Sequence, residues 1–216
     1  MNLFVFLQEN FAQTLFLTWE HIWIVGLSLV IAMCTGIPIG IFITRSKEMA
    51  QRVIAGANVI MTVPSIALFG LMLPILALVG HGLGKVPAVI ALVLYSLLPI
   101  IRNTYIAIKN VDPALVDAGR GMGMTKWQLL REVEVPLAIP VILAGLKTAA
   151  VMNIGIAAIA AYVGAGGLGV FIQQGIARSH ESMILAGALA VSLLAVFVDL
   201  AMGLLERWVT PKGLKL

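Results

Sequence analysis

Charge is scarce in this chain. Of its 216 residues only 11% are Asp, Glu, Lys or Arg, while 61% are hydrophobic; soluble domains run near a quarter charged and a half apolar. A water-soluble fold of this size cannot hide so much apolar surface. Cysteine is scarcer still. Cys34 stands alone, so no internal disulfide can form and the redox compartment leaves no mark. Aromatics make up 7% and do not interleave with a basic patch, so the net charge of +4 is not a nucleic-acid footprint. Residues 1–16 hold no Lys or Arg, and a secretory signal is not expected without a positive n-region. Alternating apolar and polar residues of the barrel kind are missing too.

What is present is five long apolar runs: 21–44, 53–79, 86–108, 136–163 and 183–205. Each reaches the roughly 20 residues a helix needs to cross the hydrocarbon core. Backbone groups in lipid must bond within their own segment, so the runs are expected to be helices. The expected fold is all-α and polytopic, with about five transmembrane helices spanning 20–205, preceded by segment 1–19 and followed by tail 206–216.

Lys and Arg divide unequally between the connections. One set holds Arg45, Lys47, Arg52, Arg102, Lys109, Arg120, Lys126, Arg131, Arg207, Lys212 and Lys215; the other holds Lys85 and Arg178, and Lys147 lies within the fourth run. The positive-inside rule then places the N-terminus outside, the C-terminus in the cytoplasm and segment 109–135 on the cytoplasmic side. Trp19, Trp23 and Trp208 flank the first and last runs, where interfacial indoles belong.

Segment 109–135 is the one long polar stretch. Asp112 before Pro113 reads as a helix cap followed by proline at the first helical position. Gly119, Gly121 and Gly123 suggest a break and a turn. Thr125 can cap a second helix whose apolar residues, among them Trp127, Leu129, Leu130 and Val133, lead to Pro136. Composition alone fits an ordinary loop equally well.

The order Asp117-Ala118-Gly119, three residues, Gly123, nine residues, Val133-Glu134-Val135-Pro136 resembles the EAA signature of ABC importer permeases: Glu-Ala-Ala, three residues, Gly, nine residues, Ile, any residue, Leu, Pro. Asp117, Gly119, Val133 and Val135 depart from it mildly, and the spacing is intact. The resemblance implies a type I, binding-protein-dependent importer permease, a multi-pass protein of the bacterial cytoplasmic membrane. It implies that this segment is a coupling helix gripped by a separate ATPase. Two ATPase copies, a second permease chain and an external solute-binding protein are its implied partners, besides membrane lipid. No cofactor is expected on this chain, which has no Walker motif; ATP and Mg would sit on the ATPase. The stretches from Thr62 and from Lys85 to Tyr105 resemble permeases for glycine betaine, carnitine and choline, which implies an osmoprotectant as solute. Methionine or another small solute is the alternative of the same build. A secondary transporter or channel is the alternative from another class.

Gly164-Ala165-Gly166-Gly167-Leu168-Gly169 fits the dinucleotide pattern GxGxxG. It follows an apolar span rather than a strand, so a nucleotide role is not expected. A flexible outer connection is, and by resemblance an outer gate or a contact for the binding protein. Lys147 and Asp199 fall at similar depth on neighbouring runs and could pair. Asn58, Asn103 and Asn153 suit interhelical hydrogen bonds. Pro64 and Pro99 should bend their helices and, with Tyr95 and Tyr162, are candidates to line a path; a tyrosine face can meet a passing cation. His21, His81 and His180 fall near the outer face without metal-ligand spacing, and interfacial or partner contacts are their expected roles. No catalytic set appears.

Overall fold

A computed structural model describes residues 2–209. Its ten α-helices are joined by short 3-10 and π segments, with no strand among the described residues. Helix α1 (Leu3–Glu9) leads into α2 (Phe11–Phe42), which a 3-10 turn (Ile43–Arg45) closes. Then come α3 (Lys47–Thr62), α4 (Ser65–Ala77), α5 (Lys85–Lys109), α6 (Pro113–Gly121) and α7 (Lys126–Leu129). A π turn (Leu130–Glu134) joins α7 to α8 (Val135–Ala160), and a 3-10 turn (Ala161–Val163) ends it. Helices α9 (Gly169–Ala177) and α10 (Glu181–Val209) complete the chain. Four helical stretches are long and apolar enough to cross a membrane, and the bent pair α3–α4 makes a fifth.

Small residues set the central packing. Helices gain nothing from burying apolar surface against each other rather than lipid, so close approach over Gly and Ala provides the contact. A Cβ added to Gly36 would lie 2.9 Å from Ile100 Cγ2, and one on Gly40 2.6 Å from Thr104 Cβ. These two glycines, one turn apart, seat α2 on α5. Gly145 seats α8 on α5 in the same way, its absent Cβ falling 2.8 Å from the Pro99 carbonyl oxygen. Ala32, Ala88, Ala91, Ala149 and Ala160 are buried between the same helices. Asn153 on α8 donates to Ser96 Oγ on α5 at 2.8 Å, and Ser96 donates to the Leu92 carbonyl. Helices α9, α10 and α1 pack at one edge through Phe6, Phe171, Met183 and Ala186.

The bundle has two chemically distinct ends. One carries Arg45, Lys47, Lys109, Arg120, Lys126 and Arg131 and is the basic end. The other carries the 164–169 glycines with Glu20 and Lys85 and is the glycine end.

Four boundaries differ from the sequence reading. The first span starts at Phe11 rather than residue 21, and segment 1–19 is helical from Leu3 onward. Gln13, Thr14 and Thr18 dilute the hydropathy there, but Thr14 and Thr18 hydroxyls return hydrogen bonds to carbonyls four residues back. Run 53–79 is two helices meeting at 97°, starting at Lys47. Val63 precedes proline and is extended (φ −70°, ψ 127°), as that position prefers, and the Tyr95 hydroxyl donates to its carbonyl at 2.5 Å. At Pro99, by contrast, α5 continues unbroken. The fourth span reaches back through the π turn to Lys126, and the fifth runs over Glu181–Val209. Tail residues 210–216, with Lys212 and Lys215, lie outside the described residues.

Candidate functional site

At the basic end, the Asp112 carboxylate accepts the Ala114 N–H at 2.8 Å and Pro113 opens α6. The helix ends in a Schellman turn: Met124 N–H donates to the Gly119 carbonyl (3.1 Å) and Gly123 N–H to that of Arg120 (2.9 Å). Gly123 sits at φ +81°, a left-handed conformation that glycine takes without a Cβ penalty. Gly119, buried, faces Leu129 so closely that an alanine methyl would lie 2.7 Å from Leu129 Cδ1. The Leu129 side chain would have to shift to admit the alanine of the family pattern. Thr125 then caps α7 reciprocally with Gln128.

From α7 the backbone stays helical into α8. Pro136 cannot donate to the carbonyl one turn back, and the preceding residues widen into the π turn, a form that recurs at functional sites. Val133 and Pro136 are half-buried there. Asp117 and Ala118 are exposed, with Asp117 held by Arg120 at 3.2 Å. The segment is therefore a helical elbow whose outer surface mixes charged residues with exposed Leu115, Met122 and Trp127, and its second half is continuous with the span α8.

The glycine end is built differently. Ala165 N–H donates to the Ala160 carbonyl and Gly164 N–H to that of Ala161, so a second Schellman turn closes the preceding helix. Gly164, Gly166 and Gly167 all have positive φ. Glu20 Oε2 accepts the Gly167 N–H at 2.8 Å while its Oε1 lies 2.7 Å from Lys85 Nζ. His21 Nδ1 accepts the Leu168 N–H at 3.2 Å, which leaves Nε2–H to donate to the Ile154 carbonyl at 3.1 Å. Gly84 N–H reaches the Val163 carbonyl at 2.7 Å. A Cβ on Gly169 would overlap the Ala158 carbonyl. The segment is thus a fixed crossing of α2, α5, α8 and α9 rather than a flexible connection. His21 is fully buried rather than interfacial. Both facts were hidden because the partners are 147 residues apart in sequence.

The structure brings Lys147 and Asp199 together, Nζ to Oδ1 2.9 Å, between α8 and α10. Tyr95 is buried and anchors the bend at Val63, while Tyr162 is exposed. Pro64 is exposed at the bend and Pro99 buried. Of the asparagines, Asn153 bonds between helices; Asn103 turns back to the Pro99 carbonyl in its own helix. Asn58 lines an open cavity of about 520 Å³ between α3 and α5, with Gln51, Arg102 and Tyr105. That cavity, mostly apolar with a few polar groups, was not foreseen, since its residues are spread over two runs. His180 accepts the Met183 N–H at the start of α10, and His81 Nδ1 lies 2.7 Å from the Val79 carbonyl.

These features, a membrane bundle with a helical elbow between its third and fourth spans, fit a transport permease. The family described as the inner membrane component of binding-protein-dependent transport systems matches residues 36–211. The osmoprotectant import permease protein OsmW of Salmonella typhimurium is 48% identical over 215 residues, covering 100% of both chains. The glycine betaine/carnitine/choline transport system permease protein OpuCB of Bacillus subtilis is 42% identical, covering 99% of this chain and 96% of its own. Among solved structures, an inward-facing form of the MetNI methionine ABC transporter superposes with a TM-score of 0.80 at 26% identity, covering 89% of this chain and 94% of that one. The chain belongs to the family of inner-membrane components of binding-protein-dependent transport systems, as a type I ABC importer permease. It is accordingly a multi-pass membrane protein whose family works with an ATPase and a solute-binding protein.

Proposed function

We infer that this permease forms half of the membrane path of an importer for osmoprotectants such as glycine betaine, carnitine or choline. Two relatives matched along nearly their whole length bear names of that class, which supports the solute. The basic end faces the cytoplasm, the N-terminus lies outside and the tail inside, as the Lys and Arg bias supports. There α6 and its Schellman turn enter a cleft of an ATPase subunit, which holds ATP and Mg. The assembly has two ATPase copies, a second permease chain, identical or paralogous, and an external binding protein. Motion of α6 reaches the path through α7, the π turn and α8. The single observation carrying this reading is that α7, the π turn and the span are one unbroken helical stretch, Lys126–Val163. The glycine end forms the outer gate or the binding protein's contact, and the cavity at Asn58 and Arg102 lies on the solute's exit side.

A second reading, methionine as solute, draws on the likeness to the MetNI transporter, but at 26% identity against 48% for the osmoprotectant relative. Proteoliposomes holding the permease, its ATPase and its binding protein decide between them. Glycine betaine or choline should stimulate ATP hydrolysis and uptake; stimulation by methionine alone overturns the osmoprotectant reading.

A further inference from the structure

Where α2 and α8 reach the basic end, they part around an open cavity of about 690 Å³. Its floor is apolar: Pro38, Ile41 and Phe42 from the last turn of α2, with Leu130 and Val135 from the α7–α8 stretch. Its rim is cationic, formed by Arg45, Lys126 and Arg131, and Trp127 stands beside them, 68% exposed. Arg45 is held over the Phe42 ring at 5.0 Å. None of the three cations belongs to a described ion pair. Glu134 lines the adjoining cavity, which shares Arg45 and Lys126, and no carboxylate lines this one.

We propose that this cavity is a binding site for the headgroup and upper acyl chains of an anionic phospholipid. The depth is right, because floor and rim are both built from the terminal turns of two membrane spans, where the charged residues begin. The chemistry is right, because three cations outside any described ion pair face a phosphodiester while apolar walls continue it toward the bilayer. Basic pockets between spans recognise anionic headgroups in this way, and exposed indoles settle at that level. A lipid seated here touches α2 and the α7–α8 stretch at once, bracing the elbow against the first span. None of Asp117, Ala118, Gly119, Gly123, Val133 or Pro136 lines the cavity, so the surface offered to the ATPase stays free. The proposal does not depend on which solute is carried.

The test uses the importer complex, delipidated in mild detergent and titrated with phosphatidylglycerol or phosphatidylcholine under native mass spectrometry. Phosphatidylglycerol should bind on the order of a hundredfold tighter, from three cations at the surface. The variant Arg45→Gln/Lys126→Gln/Arg131→Gln should lose that preference. The variant Arg52→Gln/Lys109→Gln/Arg207→Gln, with the same charge change elsewhere at this end, should keep it. Equal binding of both lipids, or equal loss in both variants, overturns the site. Should the first variant fail to assemble, photoactivatable phosphatidylglycerol on the unmutated complex decides. Adducts should concentrate on peptides holding Phe42 and Trp127. Adducts spread evenly along α10, or appearing at the cavity only when the ATPase is stripped away, overturn the proposal; the latter assigns the surface to the ATPase.

Discussion

The same turn closes a helix at both ends of the bundle, in opposite surroundings. At the basic end, Gly123 ends α6 with two backbone bonds, and the space where its Cβ would point is empty. At the glycine end, Gly164 ends the α8 stretch with the same two bonds, but Gly167 and Leu168 after it are tied to Glu20 and His21, and Val163 before it to Gly84. One turn packs only against the helical stretch that follows it; the other is held by two distant elements, α2 and the start of α5. A loop that must be gripped and moved by a partner needs a stiff local shape and a free surface. A crossing point of four helices needs a fixed place in the bundle. The local sequence signal, glycine at the left-handed position, is identical in both, so the difference lies wholly in tertiary packing.

If that contrast is right, the largest damage comes at the glycine end. Gly169→Ala drives a methyl group into the Ala158 carbonyl, backbone against backbone. It should destabilise the protein by more than about 3 kcal/mol, seen as loss of monodisperse protein in detergent. Normal yield and melting temperature would mean that the crossing can open, and the contrast fails. Next is Glu20→Ala, which removes both the Lys85 ion pair and the acceptor for Gly167 N–H. A loss of about 1–3 kcal/mol is expected, read from the thermal midpoint. Asp117→Ala at the other end breaks an exposed pair between neighbours on one helix and should cost under about 0.5 kcal/mol.

Legibility in the sequence follows the same line. The spans, the Asp112 and Thr125 caps and the glycine turn at 123 could be read because each depends on a few adjacent residues. The Lys147–Asp199 juxtaposition was also within reach, since helical rise converts position into depth. The bend at Pro64 was readable as a bend, but not its 97°, which is fixed by Tyr95 reaching Val63 across 32 residues. The Glu20–His21 anchor of the glycine segment was out of reach. Nothing near residue 166 announces a carboxylate from 147 residues earlier. Stretches diluted by a few polar residues, such as 11–20, also mislead a hydropathy reading when their hydroxyls bond to their own helix.

At the basic end, Gly123→Ala meets no atom within 4 Å, so its only penalty is the left-handed backbone, about 1–2 kcal/mol. Insertion and assembly should survive. Uptake per ATP hydrolysed should fall, because the turn would shift to relieve φ and carry α6 with it, and Gly123→Asp should behave likewise. Unchanged solute-stimulated uptake in either variant removes the coupling role of this segment.

A small gain in stability tests the premise shared by both ends. Two further helices end in the same two-bond turn. After α4, Gly80 N–H reaches the Ala77 carbonyl and His81 N–H that of Leu76; after α9, Ser179 N–H reaches Ile176 and His180 N–H reaches Gly175. Ser179, exposed at φ +51°, is the one residue other than glycine with positive φ among the described residues. Its turn carries the left-handed strain that glycine relieves in the other three. Ser179→Gly should therefore stabilise the protein, by about 0.5–1 kcal/mol once the added freedom of the unfolded chain is subtracted. The midpoint of thermal unfolding in detergent would rise slightly with transport unaltered. A fall in that midpoint would show that hydrogen bonding and not backbone strain governs these turns, and the expected outcome at Gly123 would have to be redrawn with it.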